Sequence, residues 1–96
     1  MKTGVRHDDW LLAQLADAEF AAEYINAAGE DDDPKTYLTA LRKVVEARGG
    51  IASVAEKAAL SRETLYRTLS VRGNPTIKTL TAVLKATGLK FGVSAH

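Results

Sequence analysis

Ser53-Val54-Ala55-Glu56-Lys57-Ala58-Ala59-Leu60-Ser61-Arg62-Glu63-Thr64-Leu65-Tyr66-Arg67 reads as two short helices closed on a tight turn, a helix-turn-helix. The physical demands of that motif are specific. A small residue is needed where the two helices cross closely, and Ala55 supplies it. The turn wants a left-handed backbone, usually glycine; Ala59 stands there, a departure that predicts some strain. Leu60 is the apolar plug that follows. Ser61 is a good N-cap for the second helix, and Leu65 anchors that helix from behind. Ser61, Arg62, Glu63, Tyr66 and Arg67 then face outward, with Thr64 on the same first turns. A recognition helix presents such a set to the major groove of double-stranded DNA. Arg62 and Arg67 suit guanine or phosphate. Ser61 and its neighbouring amides suit a phosphate at a helix N-terminus. Tyr66 offers a phosphate hydrogen bond or contact with thymine methyls, and Glu63 an acceptor for cytosine or a favourable charge on the helix dipole.

Working outward, the pattern predicts a first helix over about Asp9 to Ala28, with Leu11, Leu15, Ala18, Ala22 and Ile25 on one face. Phe20 and Tyr24 lie one turn apart on another face, and Trp10 opens the segment. Gly29 ends this helix. Asp33 caps the next and Pro34 takes its first position. The acids Glu30 to Asp33 favour that helix start, so they need no calcium to explain them. The second helix runs from about Pro34 to Arg48, with Tyr37, Leu38, Leu41, Val44 and Val45 inward, and Gly49-Gly50 stops it. A third helix covers about Ile51–Ala58 and a fourth Arg62 to about Leu69. Ser70 to Pro75 is a loop by composition. Thr76 caps a fifth helix with Ile77, Leu80, Val83 and Leu84 inward, ended by Gly88. The tail Leu89-Lys90-Phe91-Gly92-Val93-Ser94 alternates like a strand. Either it pairs with its symmetry mate across a two-fold homodimer axis, through Leu89, Phe91 and Val93, or it packs on the helices; pairing is the favoured expectation.

Charge divides the chain. Residues 1–33 carry two basic against nine acidic side chains, a net charge of −7. Residues 34–96 carry eleven basic against three acidic, a net charge of +8. The expected organisation is an acidic helical segment, 1–33, before a basic DNA-binding region, 34–96. A basic region attracts polyanions, and an acidic one suits a basic protein. At 96 residues one small core is expected, without room for a deep cofactor cavity. There is no cysteine, which excludes a disulfide scaffold, a thiolate metal site and a cysteine nucleophile, and points to the cytoplasm. No long apolar run predicts a membrane span, and the N-terminus lacks the apolar stretch of a signal peptide. Neither His7 nor His96 sits in a catalytic pattern, and no phosphate loop or metal motif occurs. No enzyme activity, cofactor, metal or small-molecule substrate is expected.

From about Ala22 to Val93 the chain resembles the addiction-module antidote family, helix-turn-helix antitoxins related to the Cro/lambda-repressor fold. Tyr24-Ile25-Asn26-Ala27-Ala28, Tyr37-Leu38-Thr39-Ala40-Leu41, Val54-Ala55, the run from Leu60 to Ser70, Gly73-Asn74-Pro75-Thr76 and Leu89-Lys90-Phe91-Gly92-Val93 carry the resemblance. It implies an all-α, lambda-repressor-like domain of five helices. It also implies an antitoxin that neutralises a RelE/ParE-like toxin and represses its own operon. By the same resemblance Arg62, Glu63, Tyr66 and Arg67 read bases, while Arg72, Asn74 and Thr76 contact the DNA backbone. RelE-type toxins are basic RNA-binding proteins, so the acidic first third, with Trp10, Leu11, Phe20 and Tyr24, is the expected toxin contact. Two other readings remain open: a stand-alone repressor, and a protein-interaction module with a degenerate helix-turn-helix. Salt-dependent DNA affinity separates the last from the others.

Overall fold

A computed structural model describes residues 7–93 and Ala95. Lys2, Arg6, the strand-pattern residue Ser94 and His96 lie outside the described residues. Six helices follow one another: α1 (His7–Leu15), α2 (Ala18–Ala28), α3 (Pro34–Ala47), α4 (Gly50–Lys57), α5 (Arg62–Thr68) and α6 (Ile77–Ala86). The described residues are all-helical as expected, with six helices where the periodicity predicts five. None of them is long and apolar enough to cross a membrane.

The additional helix comes from a break in the first one. Asp17 leaves the helical region (φ −83°, ψ 126°), and its carboxylate accepts from the Phe20 amide at 2.9 Å, capping α2. A straight helix from Asp9 to Ala28 would reach about 30 Å. The 14 residues of α3 offer only about 21 Å of packing surface. Broken at Ala16-Asp17, both pieces lie against α3. The apolar face changes register at the break. Leu11, Leu15, Ala21 and Ile25 are buried, whereas Ala18 is exposed and Ala22 is half-buried.

The acidic linker behaves as capping chemistry predicts. Asp33 accepts from the Lys35 amide at 3.0 Å, and Asp31 accepts from the Asp33 amide at 2.7 Å. Pro34 opens α3, whose Leu41, Val44 and Val45 are wholly buried at the centre of the core. Each such side chain contributes about 1.5–3 kcal/mol. Gly49 (φ +130°) and Gly50 (φ +84°) turn the chain into α4 through two consecutive backbone states that only glycine adopts readily. α4 packs on α3, α5 and α6 and carries the core across to the C-terminal half. In α6, Val83 and Leu84 are buried and Leu80 is half-buried, but Ile77 is 61% exposed. As the first residue of α6 it projects past the helix start, off the packed face.

Arg48 closes the far end of the bundle. It ends α3, and its guanidinium donates to three carbonyls: Thr87 at 2.6 Å, Ala16 at 2.7 Å and Leu15 at 3.5 Å. The carbonyl ends of α1 and α6 thus share one cation, a favourable arrangement at helix C-termini. A bidentate pair from Lys43 Nζ to Asp8, 2.9 Å to each oxygen, fixes the other end of α1.

The tail corrects the strand expectation. Leu89–Val93 form no strand. Instead Gly88 (φ +88°) turns the chain, and the Leu89 amide donates back to the Leu84 carbonyl at 2.9 Å, so that Leu89 packs on the core. Phe91, 42% exposed, and Val93, 99% exposed, follow it out along the open groove beside Ile25 and Tyr37.

Candidate nucleic-acid interface

α4 and α5 are joined by the four residues 58–61 and pack against each other in the order and spacing of a helix-turn-helix. The turn is a complete C-terminal cap. The Leu60 amide donates to the Ala55 carbonyl at 2.9 Å and the Ala59 amide to Glu56 at 3.1 Å. This pattern needs a left-handed residue between them, and Ala59 adopts φ +59°. The strain predicted for an alanine at that place is therefore present. Leu60 is half-buried against the core, and Leu65 is wholly buried.

Ser61 caps α5: its Oγ accepts from the Thr64 amide at 3.0 Å and donates to the Thr64 hydroxyl at 2.8 Å. Both hydroxyls are thus engaged in shaping the start of α5, and Thr64 is half-buried. With Leu65, Thr68 and Leu69 turned inward, Arg62, Glu63, Tyr66 and Arg67 are left exposed. Neither arginine makes an ion pair among the described residues. Half of the Tyr66 surface is open.

The loop after α5 folds back on it. Ser70 Oγ donates to the Arg67 carbonyl at 2.9 Å and accepts from the Arg72 amide at 3.3 Å. The Gly73 amide donates to the Ser70 carbonyl at 2.8 Å. A Cβ on Gly73 would fall 2.2 Å from the Thr68 carbonyl oxygen, so only glycine allows this approach. Thr76 then caps α6, accepting from the Thr79 amide at 3.1 Å. The result is an open depression between α5 and α6 that brings Thr64, Arg67, Arg72, Asn74 and Thr76 together. Arg62, Glu63 and Tyr66 do not line it; they stand on the outer side of α5. Sequence reasoning missed Ser70 and Gly73 as the residues that position the loop. The Ser-x-x-Gly spacing before Asn74-Pro75 was the available signal.

The residues expected to meet a protein partner lie at the opposite end of the chain. Trp10, 48% exposed, stacks on His7 at 6.0 Å and meets Phe20 edge-on at 6.3 Å. Phe20 and Tyr24 are half-buried. Leu11 belongs to the core, so its side chain is not presented outward. Burial raises the pKa of Tyr37, which lies beside Ile25 and Gly29. The hydrogen bond that Lys43 donates to the Asp8 carboxylate, with the negative charge of that group, raises the pKa of Lys43. Among the described residues no group of His, Asp or Glu could hold a metal ion.

An all-helical fold in which two short helices pack across a four-residue turn, the second exposing Arg62 and Arg67, is the class these features define. Residues 9–95 match the family described as "Probable addiction module antidote protein", and the chain belongs to that family. A protein of Haemophilus influenzae (strain ATCC 51907 / DSM 11121 / KW20 / Rd), described as "Uncharacterized protein", is 40% identical over 70 residues, covering 73% of this chain and 71% of its own. No solved structure matches the chain.

Proposed function

We infer that this antidote is a DNA-binding antitoxin that represses its own operon as a homodimer and neutralises a RelE/ParE-like toxin. One observation supports the DNA reading: Arg62 and Arg67, which make no ion pair among the described residues, and exposed Tyr66 stand on α5, and Arg67 lines one depression with the Arg72–Thr76 loop. Arg62, Glu63 and Tyr66 enter the major groove and read base edges. Arg67, Arg72, Asn74 and Thr76 hold the flanking phosphates, and Ser61 and Thr64 set the start of the reading helix. The basic residues 34–96 serve DNA. The acidic residues 1–33 serve the toxin, through Trp10, Phe20 and Tyr24 and not the buried Leu11. Phe91 and Val93, apolar and open to solvent, are the dimer contacts, while Leu89 anchors the tail to its own core. A two-fold dimer places its half-sites about 34 Å apart.

The test is a gel-shift titration on the DNA immediately upstream of the gene, comparing the natural chain with Arg62→Ala/Arg67→Ala at two salt concentrations. The expected result is salt-sensitive binding that falls by about tenfold or more in the double variant, since a good base contact by Arg62 contributes about 1–3 kcal/mol and loss of the Arg67 phosphate contact weakens binding further. Equal, weak binding of both proteins to operator and random DNA refutes the reading.

A further inference from the structure

Two cations of α3 are engaged in pairs within the molecule, while Lys35 at the start of α3 stays exposed. Lys43 is taken by Asp8 at 2.9 Å, and Arg42 lies 3.6 Å from Glu46. Residues 7–33 contain nine carboxylates and no lysine or arginine. Glu19 and Glu23, exposed one turn apart on α2, and Asp9 beside Trp10 make no ion pair among the described residues. The charge this end presents outward is therefore negative.

Between α2 and α3 lies an open, mainly apolar groove, walled by Tyr24, Ala28, Thr36 and Thr39, with Ala27 and Ala40 among its lining. Phe20, Tyr24 and Ala27 or Ala28 follow one another at helical spacing, so the groove continues the apolar line that begins at the Trp10–Phe20 contact. From Phe20 to Ala28 that line is about 12 Å long, two to three helical turns. Small side chains at Ala27, Ala28 and Ala40 allow another helix to approach at a normal packing distance of about 8–10 Å. The helices on both sides keep their backbone groups in their own hydrogen bonds, so no edge is offered to an added strand. Glu19 and Glu23 are exposed on α2 and stand at four-residue spacing on the row that continues to Ala27 of the groove.

We propose that this groove receives an amphipathic helix of the toxin, bearing a row of lysine or arginine beside its apolar face. The site deepens the antitoxin reading and rests on it. Apolar side chains of that helix fill the space between Tyr24 and Thr39, and its cations meet Glu19 and Glu23. The groove shares no lining residue with the depression beside α5, so toxin and operator are expected to bind at once.

The probe is the protein encoded by the neighbouring reading frame, titrated against the full chain. Ala27→Arg/Glu23→Lys and, independently, Thr39→Arg place bulk and positive charge at exposed positions of the groove; circular dichroism melts confirm their fold. Expected is a loss of affinity of about thirty-fold or more in each, the scale of interface hot spots, while Arg62→Ala/Arg67→Ala binds the probe like the natural chain. Undiminished binding by both groove variants overturns the groove but leaves the antitoxin reading standing. Failure of the natural chain to bind the probe overturns both. If the groove variants instead abolish self-association of the chain alone, a second copy is the occupant and the proposal falls.

Discussion

Ala59→Gly should make this protein more stable. Two helices here end in the same hydrogen-bond pattern. At the end of α6 the left-handed position is Gly88 (φ +88°); at the end of α4 it is Ala59 (φ +59°). An L-residue with a Cβ in that region costs about 1–2 kcal/mol. Glycine removes that cost but gives the unfolded chain more freedom, which takes back about 0.4–1 kcal/mol. Ala59 is exposed, so no packing is lost with its methyl group. The balance is a gain of about 0.5–1 kcal/mol, or about 3–6 °C in Tm for a domain of this size. Gly88→Ala is the mirror experiment. It introduces the same strain and brings a Cβ within 3.0 Å of an Arg48 guanidinium nitrogen, so Tm should fall. Thermal unfolding by circular dichroism reads both changes. A melting temperature for Ala59→Gly equal to or below that of the natural chain, with a two-state transition preserved, refutes the argument that this turn is strained.

Other consequences are as direct. Arg48→Met keeps the aliphatic stem but strands the carbonyls of Leu15, Ala16 and Thr87, so urea denaturation should show a loss of about 2 kcal/mol, with hydrogen exchange rising in α1; a loss under about 0.5 kcal/mol would leave Arg48 a bystander. Tyr37 and Lys43 both have folded pKa values raised above those of the unfolded chain. Each therefore binds its proton more tightly when folded, and stability present below about pH 10 is lost as pH rises through the folded values. Tm measured from pH 8 to 11 should fall at the alkaline end, and Tyr37→Phe should flatten that fall; an unchanged slope would exclude Tyr37 as a source.

The parts of the fold written in local chemistry were legible in the sequence. Asp33-Pro34 starts α3, Gly49-Gly50 ends it, and Ser61 and Thr76 cap α5 and α6, because each acts on amides two or three residues away. The same locality made Ala59 readable as strained. The break at Asp17 was not legible. Alanines on both sides of it continue a helical pattern, and only the limited length of α3 makes two short helices better than one long helix. Ile77 was misplaced because periodicity says nothing of helix ends. The expected tail strand gives way to a turn at Gly88 that draws Leu89 back onto the core, a contact that alternation alone does not reveal. At the candidate interface the outward residues of α5 followed from the turn. The depression shared by Arg67, Arg72 and Asn74 depended on Gly73 touching the Thr68 carbonyl, a contact with no signature beyond the glycine itself.

Arg48 has a consequence for how the two ends of the chain communicate during synthesis. Its acceptors lie 32 and 33 residues before it and 39 residues after it. A growing chain can place α1 against α3 as soon as Arg48 has emerged, but the guanidinium stays half-employed until Thr87 arrives. The N-terminal helix thus reaches its full grip when translation is almost finished. A stop codon just before Thr87 would be felt at Ala16, which shares the Arg48 guanidinium with it though 71 residues away in the chain.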